Sequence, residues 1–460
     1  MNVVSAPPSA NDSRSRVDLR CPAVMVSAPA SGQGKTSVTA ALARSQVRRG
    51  RRVQVFKIGP DFIDPTILEA ASGRPVYQLD LFMGSDAHCR ALLYEAAARV
   101  DLILVEGAMG LFDGAPSTAD LAAAFRLPIL VVIDANAMAQ TFGAVAHGLA
   151  SFRPGLAIAG VVANRVASAG HARMVGDSLA PGLELACGLQ QGNSLTLPER
   201  HLGLVQAGEL AYLEDRIDRL ADAWDEGGGA AFEAAAVSFE APAPDPSSSL
   251  DALRGVRIAV ARDEAFSFIY AANIDVLRAL GAEVVMFSPL ADASVPDCDA
   301  LWLPGGYPEL HATGLAANRE MLASVREHHA NGRPLLAECG GALYLMDGLT
   351  TRSSTDVNSN EARYAFAGVL PGEARMNSTL AAIGLQEVVL PEGLLRGHSF
   401  HYSSLDSRLL PIVRARCPNG GRTAEAVYRV GSTTASYMHF YFASNPETVA
   451  RLFRPAEGGK

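Results

Sequence analysis

The sequence predicts two α/β domains, each built on a parallel sheet, joined by a linker. Short runs of β-branched and aliphatic residues alternate with helical segments, the pattern of strands buried on both faces. That rhythm fades near Asp225 and starts afresh at Val256. The chain's 460 residues also exceed one ordinary core, since domains usually take about 100–200 residues.

In the first half the expected strands are Ala23–Ala28, Arg52–Lys57, Asp101–Val105, Pro128–Asp134 and Ile158–Asn164, with helices such as Thr36–Arg49 and Ala87–Arg99 between them. A disordered lead-in is expected over 1–20, the first domain over 21–225 and a Gly-, Ala-, Pro- and Ser-rich linker over 226–254. The second domain, 255–455, opens with strands Val256–Ala261, Glu283–Phe287, Ala300–Leu303 and Pro334–Ala337. It closes in a strand-rich tail with turns expected at Leu370–Gly372 and Pro418–Gly421. No short-period repeat points to a solenoid.

Composition narrows the function classes. Hydrophobic residues make up 49% and charged residues 19%, an ordered globular balance. A net charge of −9 argues against a general nucleic-acid or anionic-membrane partner. The six cysteines form no CxxC pair, so neither a zinc site nor a disulfide framework is expected. The polar N-terminus lacks the apolar core of a signal peptide, and no run reaches the ~18 apolar residues of a membrane span. A cytoplasmic protein with reduced thiols is the expectation.

The strongest local signal is Ala28-Pro29-Ala30-Ser31-Gly32-Gln33-Gly34-Lys35-Thr36, after a strand and opening a helix. Small residues let backbone N–H groups wrap a polyphosphate, Lys35 meets the outer phosphates, and the Thr36 hydroxyl suits Mg²⁺. The usual GxxxxGK[ST] spacing asks for glycine where this chain has Pro29, so the loop is a variant. The plainer alternative is a Gly-rich turn with an incidental lysine. Acids then gather at expected strand ends: Asp61 and Asp64 in Lys57–Pro65, Glu106 and Asp113 in Val105–Gly114, and Asp134. Open α/β sheets collect ligands beyond their C-terminal strand edges, so these carboxylates should converge on the loop. Taken singly, each suits a cap or a turn. Thr36, Asp61 and Glu106 are the expected metal ligands, and Lys35 and Lys57 the local positive charge.

A second signal is Leu335-Leu336-Ala337-Glu338-Cys339-Gly340-Gly341, a strand running into a cysteine between small residues and then a helix. That is a nucleophile-elbow pattern, and a helix N-terminus behind the sulfur favours the thiolate. A lone cysteine is more often buried and inert. Leu303–Glu309, after another strand, can present N–H groups as an oxyanion hole. His439, His398 and His401 compete as the base, and spacing alone does not choose among them.

In this order the segments resemble the cobyrinate (hydrogenobyrinate) a,c-diamide synthase family of glutamine-dependent amidotransferases. The resemblance spans about Cys21 to Ala450, on Ser31–Thr36, Lys57–Pro65, Val105–Gly114, Leu197–Val205, Leu303–Leu310, Ala337–Gly341 and Arg396–Ser403. It implies a P-loop NTPase-like amidoligase domain, similar to dethiobiotin synthetase, fused to a triad-type class I glutamine amidotransferase domain. It further implies that Cys339 attacks the glutamine amide and that His439 is its base. Ser31, Gly32, Gln33, Gly34, Lys35, Thr36 and Ser37 would hold ATP, and Asn164 would read adenine. Asp61, Asp64 and Asp113 would position phosphate, metal or substrate carboxylate. Tyr441 stands where triad glutaminases carry the Glu of His-x-Glu, so no third member is named.

The implied reaction is ATP- and glutamine-dependent amidation of the a and c acetate carboxylates of cobyrinate or hydrogenobyrinate, in cobalamin biosynthesis. It would run through acyl phosphates with Mg²⁺, with ammonia sheltered between the domains; a homodimer is plausible. Cobyric acid synthase and a nickel-tetrapyrrole a,c-diamide synthase are neighbouring alternatives. A partition-type P-loop ATPase switch with a degenerate partner domain is the alternative of another class. Retention of both Cys339 and His439 argues against it.

Overall fold

The computed structural model describes residues 17–192, 199–200, 203–204, 212–242, 251–351, 361–418, 420–421 and 424–455. Strands β1 (Leu19–Ser27), β2 (Val53–Ile58), β3 (Tyr77–Leu79), β4 (Leu102–Glu106), β5 (Ile129–Asp134), β6 (Ile158–Val166) and β7 (Leu185–Gln190) form one parallel sheet in the order β3-β2-β4-β1-β5-β6-β7. Helices cover both faces, which is why Val24, Met25 and Val26 on consecutive positions of β1 are all fully buried. One cover helix, Lys35–Arg48, packs with Val38, Ala41 and Leu42 inward, beside Ile217, Leu220 and Trp224 of helix Leu213–Glu226. Register places Lys57 of β2 opposite Glu106 of β4, and Asp134 of β5 opposite Asn164 of β6, all at the C-terminal edge.

One segment adds to the sequence reading and another departs from it. A short pair, β8 (Glu199–Arg200) with β9 (Gly203–Leu204), lies within Leu197–Val205, the rest of which is outside the described residues. Part of the expected linker belongs to the first sheet. Strand β10 (Ala236–Phe239) pairs antiparallel with Leu19–Pro22 of β1. Its Val237 and Phe239 are buried while Ala236 and Ser238 face out, a two-residue period hidden in Ala-rich text. Residues 243–250 of that linker and 1–16 of the lead-in lie outside the described residues; Leu19 and Arg20 of the lead-in are already strand.

The second sheet takes β11 (Arg257–Ala261), β12 (Glu283–Phe287), β13 (Ala300–Leu303) and β14 (Leu335–Glu338), matching the expected strands to within one residue. The tail supplies β15 (Met346–Thr351), β16 (Ala362–Ala365), β17 (Leu370–Met376), β18 (Ala382–Leu390), β19 (Gly393–His401), β20 (Ser403–Ser407), β21 (Val413–Arg414), β22 (Ala426–Val430), β23 (Thr433–Ser436) and β24 (His439–Phe440). The sheet order is β12-β11-β13-β14-β23-β22-β21, so the ends of β13, β14 and β23 are neighbours. The turn expected at Leu370–Gly372 is instead the start of β17. Its Pro-Gly pair sits where the β15 register jumps, and a Cβ on Gly372 would lie 2.2 Å from Asp406 O. Close backbone approach at a bulge, not reversal, is what Pro371-Gly372 serves.

Candidate active site

The first centre is the loop between β1 and the helix that starts at Lys35. Gly34 has φ +91°, and a Cβ there would meet Asn164 Nδ2 at 2.2 Å, so this position requires glycine. Asn164 Nδ2 donates to Gln33 O (2.8 Å), and Gln33 Oε1 accepts from Asp134 N (2.8 Å). Arg165 pairs with Asp134 at 2.6 Å. The ends of β5 and β6 therefore brace the loop, and the Gln33 side chain ties it to β5. Ser31, Gly32, Gly34, Lys35, Thr36, Ser37 and Asn164 line the cavity above. Lys35 Nζ donates to Met109 O (2.6 Å) and Ala30 O (3.3 Å). Burial and the nearby Lys57 ammonium lower its pKa.

Beside the loop, Lys57 Nζ reaches Asp64 and Glu106 at 2.5 Å and Asp61 at 3.5 Å. Lys57 is thus neutralised inside an acid cluster rather than free to meet phosphate, a correction to its expected role. Burial opposes its charge, but the three carboxylates outweigh it and hold the pKa well above the ordinary value. Burial, reinforced by Asp64, pushes the Asp61 carboxyl up to about 7. Burial acts the same way on Asp64, yet Lys57 wins and holds it low. Asp113 is exposed and closes its own loop, accepting from Gly110 N (3.1 Å), as its turn-forming reading allowed.

Glu106 is fully buried; its Oε1 accepts from Thr36 Oγ1 (3.0 Å) and Lys57, while Oε2 has no hydrogen-bond partner among the described residues. A buried, unpartnered carboxylate oxygen beside a P-loop hydroxyl fits Mg²⁺, which takes one or two carboxylates and fills its shell with phosphate oxygens and water. Among the described residues no three His, Cys, Asp or Glu side chains form an all-protein metal cage. Thr36 and Glu106 fit such a cation directly, with Asp61 alongside.

The second centre forms where β13, β14 and β23 end. Cys339 has φ +45°, the strained elbow that the small neighbours allow. A Cβ on Gly305 would lie 2.2 Å from His439 Cε1 and 3.3 Å from Cys339 Cβ, so thiol and imidazole converge on that glycine. Gly306 N stands 3.0 Å from where a Cβ on Gly340 would be, which sets the Gly305–Gly306 amides against the elbow. Burial raises the Cys339 pKa, and Glu309 adds to it. Burial thus works against the expected thiolate, and the helix behind the sulfur spans only Gly340–Tyr344, so little dipole offsets it. Burial, with His398 and His401 nearby, also lowers His439 well below the ordinary value and keeps it neutral.

The three histidines separate cleanly. His439 is opposite His398 in the β19–β24 ladder, and their rings stack at 5.0 Å. His398 Nδ1 meets Tyr270 OH (3.0 Å), and burial pushes its pKa down to about 3. His401 is held on both ring nitrogens, by Ser403 O (2.9 Å) and Glu425 Oε1 (3.0 Å). His439 Nδ1 is buried with no hydrogen-bond partner among the described residues, acids included. Tyr441, two residues on, reaches His88 Nε2 of the first domain at 3.0 Å instead.

Sequence reasoning missed Glu338. Its carboxylate accepts from Phe440 N (2.9 Å) and Trp302 Nε1 (3.2 Å), pinning the strand that presents His439 to the one that presents Cys339. Its place directly before Cys339 was the available signal. A sheltered passage between the domains was expected, but the residues that join the centres were not named. A single cavity of about 900 Å³ is lined by Lys35, Thr36, Asp61 and Asp64 on one side and by Phe268, His398 and His439 on the other.

A phosphate-loop domain sharing a cavity with a cysteine-histidine glutaminase site defines a glutamine-dependent amidotransferase. Residues 24–195 match the CobQ/CobB/MinD/ParA nucleotide binding domain, and residues 257–447 the CobB/CobQ-like glutamine amidotransferase domain. The chain is 57% identical to the hydrogenobyrinate a,c-diamide synthase of Stutzerimonas stutzeri, over 95% of this chain and 99% of that protein. It is 56% identical to the Pseudomonas aeruginosa protein of the same name, over 95% and 98%. It is 45% identical to the cobyrinate a,c-diamide synthase of Herminiimonas arsenicoxydans, over 94% and 96%. The chain belongs to the cobyrinate and hydrogenobyrinate a,c-diamide synthase family. No helix among the described residues is long and apolar enough to cross a membrane.

Proposed function

We propose that this chain amidates the a and c acetate carboxylates of hydrogenobyrinate, with cobyrinate as the close alternative, using ATP and glutamine. The observation that carries the reading is the one cavity running from the P-loop to His439. The names of the relatives at 57% and 56% identity favour the metal-free acceptor.

Glutamine hydrolysis falls to Cys339 and His439. The thiol proton passes to His439 as Sγ bonds to the amide carbon, and the Gly305–Gly306 amides face the developing oxyanion. The C–N bond then breaks, His439 returns the proton to the departing nitrogen, and water hydrolyses the thioester to glutamate. At the other centre Lys35 and the loop amides position the triphosphate while a substrate carboxylate oxygen takes the γ-phosphoryl group, releasing ADP. Mg²⁺ held by Thr36 and Glu106, with Asp61 beside them, would neutralise phosphate charge there. Ammonia attacks the acyl-phosphate carbonyl and inorganic phosphate leaves. Asp64 and Asp113 are assigned to positioning phosphate or the substrate carboxylate, and Asn164 to the adenine while it braces Gln33. Free thiols on all six cysteines suit a reducing, cytoplasmic setting.

The test is mass spectrometry of each tetrapyrrole after incubation with ATP, Mg²⁺ and amide-labelled glutamine. Two labelled carboxyl-to-amide conversions on hydrogenobyrinate are expected. Conversion of no tetrapyrrole would overturn the assignment.

A further inference from the structure

Phe62 stands in the loop after β2 between Asp61 and Asp64, two of the three acids that face Lys57, yet its ring does not face the first domain's core. It stacks on Phe268 at 4.9 Å with the planes 3° apart, and lies 4.4 Å from Tyr270, 5.5 Å from His398 and 4.9 Å from His439. All four partners belong to the second domain, and Phe62, Phe268, His398 and His439 line the shared cavity. The turn that projects the ring is built by Asp61, whose Oδ1 accepts from Ile63 N (2.8 Å) and Asp64 N (3.1 Å) and whose carbonyl accepts from Gln78 Nε2 (3.2 Å). The other oxygen of that carboxylate is 3.5 Å from Lys57. One carboxylate therefore both shapes the turn and faces the phosphate centre, and the next side chain touches the glutaminase base.

We propose that Phe62 is the positioning residue that couples the two reactions, sealing the joint between the thiol and acyl-phosphate centres and relaying occupation of the acid cluster to His439. The proposal rests on the amidotransferase reading and adds to it the residue that links the centres. A ring packed flat on Phe268 excludes water where ammonia would pass, and water there would protonate the nitrogen and let it escape. Movement of the Asp61 turn by a bound phosphate or cation displaces the ring against the imidazole directly, because no flexible segment separates them.

The experiment compares the full-length enzyme with Phe62→Ala and Phe62→Leu, using amide-¹⁵N-labelled glutamine in unlabelled ammonium buffer. The wild type should release about one glutamate per amide formed and keep the label. Phe62→Ala should release several-fold more glutamate than amide, lose label to the medium, and hydrolyse glutamine at a rate that MgATP and acceptor no longer change. Phe62→Leu, which keeps apolar bulk, should stay close to the wild-type ratio. A ratio near one with full label retention in Phe62→Ala overturns the proposal. So does an equal fall of glutamine- and ammonium-supported ligation, or a rise in acceptor KM alone, which would place the ring in acceptor binding. If the wild type amidates no tetrapyrrole, the functional reading falls separately. The effect of MgATP on glutamate release still tests Phe62, and absence of that effect in the wild type overturns the coupling role.

Discussion

The phosphate centre and the thiol centre handle charge in opposite ways. Around Thr36 the first gathers Asp61, Asp64 and Glu106 against one buried ammonium, Lys57, so it stands ready for a cation and a polyphosphate. The second buries a thiol and imidazoles whose surroundings disfavour charge, with no described carboxylate on His439 Nδ1. Phosphoryl transfer needs electrostatics in place before charge develops. Glutamine hydrolysis that precedes an acceptor wastes nitrogen, and a thiol that must wait for substrate to create its ion pair limits that waste. One centre is pre-organised; the other is held silent.

Cys339→Ala should break the comparison most sharply. Glutamine-supported amidation should fall at least ~10³-fold, as for loss of a nucleophile, while ammonium-supported amidation continues, both read by product mass. Parallel loss of the two would mean that the thiol also serves the phosphate centre.

Glu106→Gln tests the opposite arm. Removing the charge beside Thr36 and Lys57 should lower ligation about 10²-fold with either nitrogen source, with glutamine hydrolysis less affected. An unchanged Mg²⁺ requirement in this variant would remove Glu106 from the cation site.

pH sharpens the contrast further. Asp61 is held up to about 7, so below that pH a proton competes with a cation for its carboxylate. The Mg²⁺ concentration needed for half-maximal ammonium-supported ligation should therefore rise as pH falls through about 7 and level off above it. Asp61→Asn should abolish this transition, which titration of the wild type and variant side by side would reveal.

The smallest effect is expected where the domains meet. Tyr441→Phe deletes the hydroxyl at 3.0 Å from His88 Nε2, a neutral hydrogen bond of about 1 kcal/mol. Melting should fall by about 2–4 °C, with ammonium-supported ligation close to wild type. A large loss of ligation would show that this contact orders the phosphate centre as well.

Much of the fold was legible because parallel strands buried on both faces leave unbroken apolar runs, and β2, β4, β5, β11, β12, β13 and β14 were read within a residue or so. Strand β10 was not, because Ala236-Val237-Ser238-Phe239 alternates only weakly within low-complexity text. Pro371-Gly372 read as a turn since local chemistry favours one; the bulge against β15 and the close approach to Asp406 of β20 exist only once β17 lies between those strands. At the sites, Lys35, Thr36, Glu106 and Cys339 stood out as residue types around strand ends, while the choice of His439 over His398 and His401 came only from the family resemblance. The bias of the thiol against ionisation was not legible, since it follows from burial and not from spacing.

By itself the sequence determined which chemistries are present: a phosphate loop, acids beyond strands, a cysteine elbow, all encoded within short stretches whose conformation is set by local sterics and period. Only the tertiary structure decided what faces what. Phe62 meets His439, Tyr441 meets His88, and Glu338 ties Trp302 to Phe440. Those contacts depend on strand order and on how two sheets dock, and neither is written in any local stretch of chain.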